Sequence, residues 1–562
     1  MKSIFKRSFR TLLLLLFPCV FCINYAGAAQ IPLYKLIGKG YSTIKLSEFV
    51  NVFSGAKNSI AKISKDISGL NAVKLPLTDG IVKAGSIKFK TNGPCYMLMG
   101  IFRDSAAVLK SSALETINFG NGELNKTPLI KNAMSITGLP AVDVYAVRYK
   151  KGLQNLTWND NLFIVLGAVS SLTNFNGQDA GCPDGRLWEP FFIEGFSTEK
   201  AIFEVTGGPG KPVLDEGMAG TEDIRGGFEG GVCVKINGVY HMFPTERAGE
   251  NAKDYTYDRV KTRIGHWTSK DAINWKRIST IYQASGTYAL THDDNPLNDR
   301  RGAIWSYMPV FNEKANKWYG YYLAYTVDKE IAPNHSFGRI WRTESETPGM
   351  EGISGPYKAG EIIMEPGLDT QLWEGRQGVD SFFPYQTGNN EWLAFYGGAY
   401  PYQSFKDYPD KPGKGWFVGL ARSASMEGPW TRMDTTVNPI KTIHSWFIEN
   451  PIVYKLSADC YITIFDGGPE GWGHHLPNMI GYSLSRDGYN WSAASYIPIE
   501  TKVKKWWDIM RTPMCLIDEG NDVFTVVYAA IDLKKRFHPM GKVQLKLNRT
   551  VLNSQLQSLS KK

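Results

Sequence analysis

The chain has 562 residues, 43% hydrophobic and 13% aromatic, with 56 Gly, 29 Pro, 7 Cys and a formal net charge of +9. Four of those charges, Lys2, Lys6, Arg7 and Arg10, fall within the first 28 residues, which hold no acidic residue, so the remainder is near about +5 with no basic tract behind it. This argues against nucleic acid as a partner, and the length calls for more than one hydrophobic core.

The N-terminal basic residues precede an apolar run from Leu12 to Ile23 and then Ala26-Gly27-Ala28. This pattern is that of a secretory signal peptide over residues 1–28, cut after Ala28. The run is too short to cross about 30 Å of hydrocarbon. No stable membrane insertion is expected, and the protein is read as exported, to the periplasm or the medium. Beyond the peptide remain Cys95, Cys182, Cys233, Cys460 and Cys515, an odd number without a CxxC pair. A disulfide framework or zinc site is not expected, and one isolated bridge is the most this set allows.

Residues 29–180 read as a β-sandwich-like accessory domain. Ser47 to Ile67, with apolar Phe49, Val50, Phe53, Ile60 and Ile63, has the spacing of one or two short helices. Short strands follow over Ser86–Lys90, Tyr96–Phe102, Ala141–Tyr149 and Asn161–Val169. Thr173–Gly185, rich in Asn, Gly and Asp, is the candidate boundary.

Residues 181–548 carry five copies of an irregular motif, each with a polar or charged start, a short apolar run, a turn and an aromatic-rich run. The copies are Phe228-Glu229-Gly230-Gly231 leading to Val239–Phe243, Ser306-Tyr307-Met308-Pro309 to Trp318–Tyr322, Asp380-Ser381-Phe382-Phe383-Pro384 to Trp392–Tyr396, Glu449-Asn450-Pro451 to Tyr461–Phe465, and Arg511-Thr512-Pro513 to Phe524–Tyr528. This predicts an all-β fold, a five-bladed β-propeller with long decorating loops. A second signature, S-x-D-x-x-x-W, occurs at Ser269–Trp275 and Ser485–Trp491, with shortened forms near Ser425 and Ser354. It reads as a structural hairpin turn closed by Ser and Asp side chains. Residues 549–562 form a C-terminal tail.

In a propeller the innermost strands line a central channel, so the first residues of the copies converge there. Three are carboxylates: Glu229, Asp380 and Glu449. Glycoside hydrolysis needs one carboxyl as general acid and another as nucleophile or base, and a third can raise the acid's pKa by like-charge repulsion. A structural role, capping turns or pairing with arginine, competes with this reading at each position.

The Glu449-Asn450-Pro451-Ile452-Val453-Tyr454-Lys455 and Glu229–Tyr240 stretches resemble the E-G-P-x-x-x-K…G-x-Y-Y strand of glycoside hydrolase family 43 and its five-bladed relatives, families 32, 117 and 130. The resemblance covers about 320 residues. It implies that Glu449 is the general acid, Asp380 an adjacent pKa modulator and Glu229 the base, although the Glu229 strand matches the acid pattern equally well. The relatives place a carboxylate on the second blade, where this chain has Trp305-Ser306-Tyr307. Either Asp294 or Asp299 reaches the funnel from the preceding loop, or Glu229 fills the role.

Around the mouth, Trp305, Trp373, Trp416, Trp446, Trp472, Trp506 and Trp507 offer flat faces for sugar rings. Arg225, Arg301, Arg376 and Arg511 offer bidentate contacts to an acidic group on the sugar. His475, with His444 and His474, lies in loops near the fourth blade. The expected partner is an oligosaccharide or polysaccharide, with an acidic or anhydro sugar as one option. No cofactor is required and no metal ligand is assigned, though the central channel has room for a structural Ca2+. A sialidase-like hydrolase, a propeller lyase and a non-catalytic carbohydrate-binding propeller remain as alternatives.

Overall fold

The computed structural model describes residues 33–38, 40–103, 113–173, 175, 180–187, 200–248, 262–284, 301–328, 332–375, 377–388, 390–401, 414–440, 442, 447–468, 479–497, 499, 506–532 and 534–559. Residues 1–28, read above as a signal peptide, lie outside them.

Over residues 34–169 two sheets enclose one core. The first is four-stranded, ordered Tyr34–Ile37, Gly85–Thr91, Gly152–Trp158, Ile117–Asn118; the second is nine-stranded and includes Cys95–Phe102, Val142–Tyr149 and Phe163–Val169. The strand Gly85–Thr91 shows why: Ile87, Phe89 and Thr91 are buried while Ser86, Lys88 and Lys90 face solvent, the period of two of a strand with one covered face. All four strands expected in this half are present.

Ser47–Ile67 departs from the expectation. It forms the short strands Phe53–Ser54 and Ile60–Ile63 instead of helices. Val52, Phe53, Ile60 and Ile63 fill the core between the sheets, and Ile60–Ile63 pairs with Ile130–Ile136. An apolar spacing that also suits a helix face is thus satisfied by a sheet edge. The stretch read as a boundary folds back on these sheets, for the Ala180 and Cys182 amides donate to the carbonyls of Lys131 and Asn132.

The rest of the described chain forms five antiparallel units, four of four strands and a fifth to which the short strand Ile517–Gly520 is added; the third and fourth are joined by one parallel bridge, Trp416 to Phe447. The first runs Phe228–Ile236, Val239–Arg247, Thr262–Ser269, Lys276–Gln283; the second Ala303–Asn312, Lys317–Asp328, Ala332–Glu344, Glu361–Met364. The third is Asp380–Gln386, Trp392–Pro401, Lys414–Ser423, Thr431–Arg432, and the fourth Phe447–Ser457, Cys460–Gly468, Met479–Ser485, Ser495–Tyr496. The fifth orders Ile509–Pro513, Val523–Ile531 and Met540–Leu547, and takes its outermost strand, Phe203–Gly207, from before the first unit. Each motif copy is the innermost hairpin of one unit.

The innermost strands touch in sequence from first to fifth, and the fifth touches the first. The apolar core is divided among the five seams of this ring. Phe243, Ile304 and Trp341 fill the first–second seam, Tyr321, Trp373 and Phe382 the second–third, and Leu393, Tyr461 and Phe465 the third–fourth. Ile462, Tyr482 and Phe524 fill the fourth–fifth, and Phe228, Met514 and Val527 the fifth–first. This is the arrangement of a β-propeller. Ala61 of the N-terminal sheets joins the second–third core, which docks the two halves of the molecule there.

The S-x-D turns form as expected. Oδ1 of Asp271 accepts from the amides of Ile273 and Asn274, and Oδ1 of Asp487 from those of Tyr489 and Asn490, each at 2.8 Å. Trp491 then packs between Tyr385 and Phe395. Most of the expected tail is a helix, Arg549–Leu559, whose Leu552 enters the fourth–fifth core. The side chain of Asn548 caps it by accepting from the Val551 amide. The five described cysteines are buried, and no described helix is long and apolar enough to cross a membrane.

Candidate active site

Every innermost strand breaks its ladder at the same point. Pairing shifts between Glu229 and Gly231, Trp305 and Met308, Asp380 and Phe382, Glu449 and Ile452, and Met510 and Pro513. Inside each break one residue takes a positive φ: Gly230 at 44°, Ser306 at 53°, Ser381 at 43°, Asn450 at 52° and Thr512 at 26°. A bulge of this kind bends the strand and re-aims its side chains. Such a backbone is costly for a β-branched residue such as Thr512. The residues just before the bends, Glu229, Trp305, Asp380, Glu449 and Arg511, are therefore equivalent positions of the ring.

Polar side chains at the bends hold neighbouring strands together. Ser381 Oγ donates to Asn450 Oδ1 (3.0 Å), and Asn450 Nδ2 donates to Thr512 Oγ1 (3.4 Å) and to Asp466 Oδ1 (3.1 Å). At the first bend only glycine fits, since a Cβ on Gly230 would lie 2.3 Å from Ser306 Oγ.

Three of the expected residues meet directly. Nη2 of Arg511 donates to Glu229 Oε1 and to Glu449 Oε2, both at 2.8 Å. The two facing oxygens are therefore separated by at most twice that distance. The Glu229 and Glu449 side chains keep 19% and 14% of their surface exposed while Arg511 keeps 7%. Asp380 is buried; it accepts from Gln377 Nε2 at 2.9 Å, which also approaches the Tyr325 hydroxyl at 3.2 Å.

Burial pushes the Glu449 carboxyl well above the usual glutamate range. Arg511 pulls it down, and Asp380, Asp466 and Glu229 push it further up. Burial also raises Asp380, against hydrogen bonds from the Ser381 amide, Glu449 and Tyr325. Two neighbouring buried carboxyls titrate as a pair, and burial favours the neutral form of both. Burial pulls the Arg511 guanidinium down, but Glu449, Glu229, Asp466 and Asp380 outweigh that and leave it raised.

The other expected residues are placed differently. Trp305 holds the equivalent position on the second strand but is buried in the second–third core. Arg301 is also buried, its guanidinium stacked 4.2 Å from the ring centroid of Trp341 and its Nη1 3.5 Å from the Tyr322 hydroxyl. Arg225 is exposed at the approach to the first unit, its amide bonded to the Arg247 carbonyl. The described ion pairs of Glu229 and Glu449 run to Arg511, with Arg225 and Arg301 elsewhere. Arg376, Trp446 and His475 lie outside the described residues, as do His444, His474, Trp472, Asp294 and Asp299. Of the mouth tryptophans, Trp373 and Trp507 are core. Among the described residues no group of three or more His, Cys, Asp or Glu side chains is arranged to hold a metal ion.

Sequence reasoning missed Asp466, which is fully buried, pairs in register with Glu449 across the hairpin, and sets Oδ2 3.4 Å from Arg511 Nε. Burial raises its carboxyl to about 6 against the pull of Arg511. The signal was present as a lone carboxylate directly after the apolar run Tyr461–Phe465.

No protein-family model matches the sequence, and no curated protein is similar to it. Among solved structures, the chain is similar to a family 117 glycoside hydrolase from the marine bacterium Zobellia galactanivorans, at 14% identity and a TM-score of 0.41 over 61% of this chain and 90% of that one. It is similar to an α-L-arabinofuranosidase from Podospora anserina at 12% identity and a TM-score of 0.37, covering 60% and 95% of the two chains. An α-L-arabinanase variant from Cellvibrio cellulosa gives 13% identity and a TM-score of 0.36 over 58% and 97%. The chain is thus similar in structure to propeller glycoside hydrolases.

Proposed function

We propose that the chain is an exported glycoside hydrolase, a five-bladed propeller carrying an accessory β-sandwich, that removes terminal sugars from polysaccharide-derived oligosaccharides. The observation that carries the reading is the convergence of Glu229 and Glu449 from equivalent bulges onto one arginine, with buried Asp380 at the equivalent bulge of the strand between them in the ring. In this reading Glu449 protonates the glycosidic oxygen, because burial and its carboxylate neighbours favour its neutral form. Asp380 keeps that proton in place as a buried like-charged neighbour. Glu229 activates the water that attacks the anomeric carbon with inversion. Arg511 holds both glutamates until the sugar enters, and the chemistry needs no cofactor.

One observation favours retention as the second reading. The shared bond to Arg511 brings the facing oxygens of Glu229 and Glu449 within two hydrogen-bond lengths of each other, a close approach that also suits a retaining pair and would make Glu229 the nucleophile. A panel of plant and marine oligosaccharides, neutral and acidic, tested with the wild type and Glu449→Gln, decides the class. Proton NMR of the first-formed anomer decides the stereochemistry. Hydrolysis that survives unchanged in Glu449→Gln would remove that residue as the acid.

A further inference from the structure

The carboxylate outside the three proposed catalytic positions also faces the arginine. Asp466 sits on the second strand of the fourth unit, opposite Glu449, and is fully buried. Its Oδ1 accepts from Asn450, the bend residue that also reaches Ser381 of the third unit and Thr512 of the fifth. Its Oδ2 faces Nε of Arg511 at 3.4 Å. The approach is an ion contact and not a formed hydrogen bond, and it adds a third carboxylate on the Nε side of a planar, rigid guanidinium. Nη2 of the same group lies between Glu229 and Glu449.

We propose, resting on the hydrolase reading above, that Asp466 is a positioning residue: it anchors Arg511 to the polar belt of the bends and, through Arg511 and its own charge, sets the proton occupancy of Glu449. A carboxylate this close to Glu449 disfavours a second negative charge there. With Asp466 neutralised, that repulsion is lost and Arg511 has one countercharge fewer, so both changes favour ionised Glu449. The proton then leaves Glu449 at lower pH.

A residue that merely fills space at this point would lower stability or the rate at every pH alike. The test is Asp466→Asn, which keeps size and hydrogen-bonding capacity, beside Asp466→Glu, which keeps the charge. Two readouts are used: the pH profile of kcat, and the titration midpoint of Glu449 followed by 13C-carboxyl NMR on the ligand-free protein. The expected result for Asp466→Asn is an alkaline limb and a Glu449 midpoint both lower by about one pH unit, with kcat at the optimum reduced about tenfold. Asp466→Glu is expected to keep the limb near its wild-type place even if kcat falls, and it carries the test alone should Asp466→Asn not fold. An unmoved Glu449 midpoint in Asp466→Asn, or a limb displaced as far in Asp466→Glu, overturns the proposal. If the midpoint moves in a protein that hydrolyses no substrate, the hydrolase reading fails while the role of Asp466 stands.

Discussion

Two buried carboxylate–arginine clusters of this molecule contrast in how many donors they supply. In the first unit, Glu246 is fully buried and accepts from Arg263, from Trp267 Nε1 at 2.8 Å, and from Nε and Nη2 of Arg277, both at 2.9 Å. Arg263 is shared further with Asp223 on the surface. At the axis the described side chains stand in another proportion, for Glu229, Glu449 and Asp466 are all within ion-pair reach of Arg511, and Asp380 accepts from Gln377. A buried carboxylate with donors to spare rigidifies a sheet. A cluster short of donors must hold a proton, and a held proton can be given to a substrate.

The contrast is broken most directly by exchanging charge for amide at both places. Glu449→Gln is expected to lower kcat by about 100- to 10,000-fold with a thermal midpoint no lower than wild type, since a crowded carboxylate is neutralised; calorimetry beside kinetics checks both. Glu246→Gln is expected to do the opposite. It leaves Arg277 without its carboxylate and Arg263 with Asp223 alone, and costs about 3 kcal/mol in denaturant titration, while the folded fraction keeps its kcat. A swap of these phenotypes would mean that donor supply does not separate the structural cluster from the chemical one.

The pH dependence of stability sharpens the same point. A carboxyl whose folded pKa is raised binds its proton more tightly when folded, so its contribution is present below the unfolded value and lost as pH rises through the folded one. For Asp466 the window runs from 3.8 to about 6. The wild-type melting temperature is expected to fall across that window, and Asp466→Asn to flatten the fall. The smallest effect is expected at Asp487, which closes an exposed turn with bonds to the Tyr489 and Asn490 amides. Asp487→Ala should cost about 1–2 kcal/mol and leave activity untouched.

The axial residues were legible in the sequence because the hairpin repeat acts as a ruler. Glu229, Asp380, Glu449 and Arg511 share a phase, and the bulges give that phase its geometry. Asp466 was not legible, because its partner lies across a strand pair whose register depends on the slip between Glu449 and Ile452. Arg301 shows the converse: its spacing before Trp305 matches that of Arg225 before Glu229, yet the ring of Trp341 captures it. The apolar spacing between Ser47 and Ile67 was ambiguous for a local reason, since an edge strand of four residues is too short to show a period.

The fifth sheet joins Phe203–Gly207, from before the ring, to Met540–Leu547, near its end. The earliest strand of the ring must therefore wait, unpaired on that side, until more than three hundred further residues have been made. Arg511 belongs to this last sheet, whereas Glu229, Asp380, Glu449 and Asp466 all precede it. A nascent chain lacking its final unit holds four acidic groups that repel one another, with no described guanidinium among them. The sheet that clasps the two ends of the ring is thus also the one that presents Arg511 to Glu229, Glu449 and Asp466.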